Sequence, residues 1–154
     1  MLIIKGITKV ETLILRGKTM GVETFADYIL SEKDWIKKME IVYYLQKRTG
    51  IFYDNSVIFK TLLTKLFIDR VDLGVDKNEV ITASLLWSCK KEAVARDLDK
   101  IKSYAKEGAE FLSTLGFNER FCRICEGVNR YSGLTPREKE SDILELTDQF
   151  GGML

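Results

Sequence analysis

Apolar side chains recur at intervals of three and four residues along almost the whole chain, and only one proline interrupts it. That period belongs to amphipathic helices and excludes alternating strands. The breaks between periodic stretches carry helix signals. Ser31 opens Ser-Glu-Lys-Asp, a start for a helix bearing Trp35, Met39, Val42 and Tyr43, and Thr49-Gly50 stops it. Asp54 or Asn55 caps the next, with Val57, Phe59, Leu62, Leu63, Leu66 and Phe67 as its apolar side and Gly74 as its end. Asp76 with Glu79 forms a capping box before VITASLLW. A long helix from about Asp97 carries Ile101, Tyr104, Ala105, Gly108, Phe111 and Leu112 and closes at Gly116. Asn118 caps a helix through Phe121, Ile124 and Val128 that ends at Ser132-Gly133. Thr135-Pro136-Arg137-Glu138 combines an N-cap, a first-turn proline and a capping glutamate for a last helix through Ile143, Leu144 and Thr147 towards Gly151-Gly152.

The expected fold is therefore all-α, a bundle of about six to eight helices whose short connections set successive helices side by side. No linker composition divides the chain, so a single domain over 1–154 is expected, residues 1–50 forming a helical extension packed on a core of 51–154. Ile3 to Leu15 reads as either a helix or a short hairpin, with the helix preferred.

Composition narrows the function classes. With 24 basic and 23 acidic residues the net charge is +1, which argues against a nucleic-acid footprint. No run approaches the eighteen or so apolar residues of a membrane span. The N-terminus, broken by Lys5, Lys9, Glu11 and Arg16, lacks a signal-peptide core, so the cytoplasm is the expected location. Three cysteines form no even framework. Cys122 and Cys125 make a CxxC, but zinc would need two further soft ligands, and only Cys89 and no histidine are on offer. Buried, reduced thiols are the expected state.

Four stretches carry a resemblance: VITASLLWSCKK, YAKEGAEFLSTLGF, ICEGVNRYSGLTP and DILELTDQFGGML. In this order, from Asn55 onward, they resemble the HD superfamily, particularly the branch related to HD-GYP domains. The resemblance aligns the family's first metal histidine at or near Asn55 and its His-Asp pair with Trp87 and Ser88. It aligns the next histidine with Tyr104 and the paired histidines with Gly127 and Val128. Asp148 alone keeps a ligand type. The matching scaffold is Leu85, Leu86, Lys91, Gly108, Ala109, Arg130, Tyr131 and Gly133.

The chemical implication follows from donor atoms. Such enzymes use imidazoles and carboxylates to hold divalent metals that acidify a water. Indole, glycine and valine side chains supply no ligand, and a chain without histidine has no substitute. A non-catalytic HD-like domain is therefore expected, with no cofactor. A poor oxygen site for magnesium or calcium, from Asp148 with Glu126, Asn129 or Ser88, is a lesser option. Ser88-Cys89-Lys90-Lys91 invites a nucleophile reading, but no base is at hand, and a helix C-terminus with cations matched to its dipole explains it.

Trp87 is expected to fill the vacated metal space, with Asp148 accepting from its indole or pairing with Lys91 or Arg130. The candidate degenerate pocket comprises Asn55, Trp87, Ser88, Lys91, Tyr104, Asn129, Arg130 and Asp148. Three function classes follow: a regulatory or protein-interaction module, with self-association as one form of it; a sensor holding a nucleotide or other anion; and a residual metal-dependent phosphohydrolase. The expected partner is protein, with neither nucleic acid nor membrane.

Overall fold

The computed structural model describes residues 24–153, and the region of Ile3 to Leu15 lies outside them. All regular structure among the described residues is helical, in eight α-helices joined by short turns. They are α1 Phe25–Ser31, α2 Trp35–Thr49, α3 Asn55–Arg70, α4 Lys77–Leu86, α5 Glu92–Arg96, α6 Tyr104–Thr114, α7 Glu119–Gly127 and α8 Lys139–Met153. Two 3-10 turns, Leu98–Lys102 and Arg130–Ser132, precede α6 and follow α7.

Local chemistry accounts for most boundaries. The carboxylate of Asp54 accepts from the N–H groups of Ser56 and Val57, Asp76 from Glu79, and the Asn118 amide oxygen from Phe121. These side chains satisfy N–H groups that no helical carbonyl can reach. Gly50, at φ 74°, takes the left-handed conformation that ends α2.

Three starts differ from the sequence expectation. Ser31 ends α1, its hydroxyl donating to the Tyr28 carbonyl, and Asp34 caps α2 instead. The stretch from Asp97 divides: Asp97 caps the first 3-10 turn, and α6 begins only at Tyr104. The last helix begins at Lys139, beyond Pro136. The approach segment is tied down elsewhere, Arg123 donating to the Pro136 carbonyl at 2.7 Å and Arg137 to the Gly127 carbonyl at 2.9 Å.

Helix α4 is the central strut, buried at every residue from Val80 to Leu86. Around it α2, α3, α7 and α8 close a core that includes Val42, Leu85, Leu86, Phe121, Ile124 and Leu144. α1 is held by the Ala26 N–H donating to the Leu115 carbonyl and by Phe25 edge-on to Phe117, which stacks on Phe121.

The face that α3 buries mixes aliphatic and hydroxyl side chains. Val57, Thr61, Thr64 and Ile68 point inward, whereas Phe59 and Leu66 are each 41% exposed. The threonines are tolerated because each hydroxyl has a partner. Thr61 meets Ser84 of α4 at 3.0 Å, and Thr64 meets Thr147 of α8 at 2.8 Å. This polar seam sets how α3, α4 and α8 register.

Candidate functional site

Where α4 ends, the chain turns through Trp87 to Lys91 before α5. This turn, the start of α6, the second 3-10 turn and one side of α8 surround a cleft of about 430 Å³. Six of the eight candidates, Trp87, Lys91, Tyr104, Asn129, Arg130 and Asp148, line it together. The other two do not: Asn55 is exposed on the first turn of α3, and Ser88 is buried beside Trp87.

Trp87 and Tyr104 are both buried, with ring centroids 5.9 Å apart and planes tilted by 40°. They form an aromatic floor and leave the cleft open above it. Burial, and secondarily the charge of Asp148, pushes the Tyr104 phenol well above its ordinary range, partly opposed by a hydrogen bond with Asn129. Asn129 also fastens the two 3-10 turns together. Its amide donates to the Ile101 carbonyl at 2.9 Å, and its oxygen accepts from the Tyr131 N–H at 2.9 Å.

The carboxylates are already engaged. Asp148 pairs with Lys60 of α3 at 2.5 Å, so neither Trp87, Lys91 nor Arg130 is its partner, as the sequence had suggested. Arg130 instead donates to Glu145 at 2.5 Å, and Arg137 reaches the other oxygen of that carboxylate at 2.6 Å. Gln149 donates to Glu145 as well, at 3.1 Å. Glu145 was missed at the sequence level, although its place three residues before Asp148 sets both on neighbouring faces of one helix. Lys60, 88 residues from its partner, left no such signal.

Lys91 lines the cleft without an ion pair among the described residues. Ile101 and Tyr131 form an apolar rim, 42% and 66% exposed.

The positions that the resemblance aligns with metal ligands do not suit a metal. A Cβ added at Gly127 would sit 2.7 Å from the Ser141 hydroxyl of α8, leaving no room there for an imidazole. No cluster of three or more histidine, cysteine, aspartate or glutamate residues is disposed around a metal position among the described residues. The carboxylate of Glu145 and one oxygen of Asp148 already pair with cations. Nor does the Ser88–Lys91 turn offer a nucleophile. Burial pushes the Cys89 thiol up to about 12, and Lys90 lies 4.0 Å over the ring of Phe111. Cys125 is buried and its thiol is also raised by burial, whereas Cys122 is only half-buried. Compared with known protein families, characterised proteins and solved structures, the chain matches none.

Proposed function

We propose that this chain is a histidine-free, HD-like domain that works by binding, and that the cleft above Trp87 is the surface it offers to another protein. The observation that carries the reading is the pairing of the cleft's carboxylates beneath an apolar rim. Asp148 and Glu145 are neutralised from within the fold, while Tyr131 and Ile101 stand out to solvent beside Arg130. Exposed tyrosine and arginine around an apolar centre is the composition of binding hot spots. A side chain entering the cleft would stack on the indole and phenol and displace little bound charge.

A photocrosslinking residue placed at Tyr131 tests this in native cells, with one at exposed Arg96 as the control. The expected result is one defined protein adduct from position 131, lost on Trp87→Ala. Equal, indiscriminate labelling from both positions would refute the protein-binding reading. Metal-dependent turnover of a phosphodiester by the purified chain would refute the non-catalytic one.

Lys91 favours a second reading, a nucleotide or other anion in the same cleft, because among the described residues it forms no ion pair and only the nearby charge of Asp54 offsets it. Thermal shift with nucleotides separates the two. A ligand present at a hundredfold over its Kd should add about 2.7 kcal/mol of stability, and Lys91→Gln should abolish the gain.

A further inference from the structure

A second cavity, of about 260 Å³, lies between α2, α3 and α4 and shares no lining residue with the cleft. Its floor contains the most unusual charge in the molecule. Lys38 is 0% exposed, yet no carboxylate touches it. Its ammonium donates to the Ile29 carbonyl at 2.5 Å and to the Thr82 hydroxyl at 2.8 Å. An ammonium has three N–H donors, so two neutral acceptors leave one donor without an acceptor among the described residues, and the charge is offset only at longer range, by Glu32 and Asp76. Burying a cation without a counter-charge is costly.

The walls deepen the imbalance. Lys33, Lys65 and Lys77 also line the cavity, and Asp69 is its only carboxylate among the described residues. Asp69 is divided between Lys65 at 2.5 Å and Lys77 at 3.4 Å. Among the described lining residues four lysines stand against one carboxylate, with Glu32 and Asp76 acting on Lys38 from outside the lining. A second shortage lies alongside: the side-chain oxygen of Asn78, which lines the same cavity, is buried with no hydrogen-bond donor. Trp35, Ile68 and Ile81 supply the apolar part of the wall.

We propose that this cavity binds a small anion, a carboxylate or phosphate compound. The anionic group sits among Lys33, Lys65 and Lys77 above the buried charge of Lys38. Trp35 covers any carbon skeleton the anion carries. Low-dielectric walls focus the lysine potential into the cavity, so the attraction exceeds that of the same lysines on an open face. Burial first and Lys33 second lower the Lys38 pKa to about 8, with Glu32 and Asp76 only partly opposing them.

The test is titration of the full chain with inorganic phosphate and, separately, with succinate, followed by two-dimensional amide NMR at constant ionic strength. The expected result is saturable movement of the Trp35 indole and Asn78 side-chain amide signals. Saturation by one anion at a concentration at least about tenfold lower than the other identifies the class. The double variant Lys65→Gln with Lys77→Gln, altering exposed side chains, should weaken binding by at least about tenfold, and Asp69→Asn should tighten it several-fold. Lys38→Met, which leaves an apolar chain of similar length, should also lose affinity. No saturable movement with either anion up to roughly 10 mM would overturn the proposal. So would an affinity indifferent to the double variant and to Asp69→Asn.

Discussion

Replacing Lys38 by methionine removes one buried charge and leaves nearly the same volume, which allows its contribution to be read as a pH dependence. Burial lowers the ammonium pKa from 10.5 to about 8, with a further lowering from Lys33 opposed by Glu32 and Asp76. One pKa unit corresponds to about 1.36 kcal/mol, so the shift amounts to about 3 kcal/mol. Its sign follows from proton counts. Between about pH 8 and 10.5 the unfolded chain keeps the Lys38 proton and the folded chain has released it. Stability therefore rises with pH where the unfolded state binds more protons. Below about pH 8 the folded protein carries the full penalty, and above 10.5 none of it. The variant also strands the Ile29 carbonyl, at about 1–3 kcal/mol, so near neutral pH loss and gain roughly cancel. The informative quantity is the difference in slope. Urea unfolding followed by far-ultraviolet circular dichroism from pH 7 to 10.5 should show wild type gaining on Lys38→Met by about 3 kcal/mol, at no more than about 1.36 kcal/mol per pH unit. Tyrosine and thiol titrations are common to both proteins and drop out of the difference. A constant difference, or one that favours the variant increasingly at high pH, would refute the account of Lys38 as a buried cation.

Three further outcomes follow from contacts around the cleft. Gly127→Ala should destabilise by about 1–3 kcal/mol in denaturant melts, because the new methyl meets the Ser141 hydroxyl at 2.7 Å and α7 must part from α8. Asp148→Asn should lower the Tyr104 phenol towards its ordinary pKa, since the Asp148 charge is one cause of its elevation; ultraviolet titration of tyrosinate measures it. Trp87→Ala should cost about 3–5 kcal/mol by emptying the floor of the cleft beside Tyr104, and a loss below about 1 kcal/mol would show that the indole is not packed as described.

The helical layout was legible because its signals are local. Asp54, Asp76, Asn118 and Gly50 act on backbone groups within three or four residues, so their roles can be read from spacing. The same reading misplaced the start of α2, where Ser31 and Asp34 both qualify as caps and only the end of α1 decides between them. Six candidate pocket residues share the cleft because three of the segments bearing them, the end of α4, the start of α6 and the turn after α7, meet beside α8. Asn55 and Ser88 do not join them, since one points to solvent and the other into the core. The engaged state of Asp148 was not legible, because its cation comes from α3.

What the sequence alone determined is the class of fold: helical periodicity, caps and the absence of interrupting prolines permit little else than an α-bundle, and the absence of histidine restricts metal chemistry wherever the chain folds. Tertiary structure decided the rest. It turned α3 so that Thr61 and Thr64 face inward, and it buried Lys38 beneath the end of α1. Both outcomes depend on partners 20 or more residues away in four of six side-chain hydrogen bonds, to Ser84, Thr147 and Thr82. A hydroxyl or ammonium is tolerated inside a protein only when acceptors and donors arrive from other elements, and no periodicity within one helix encodes their arrival.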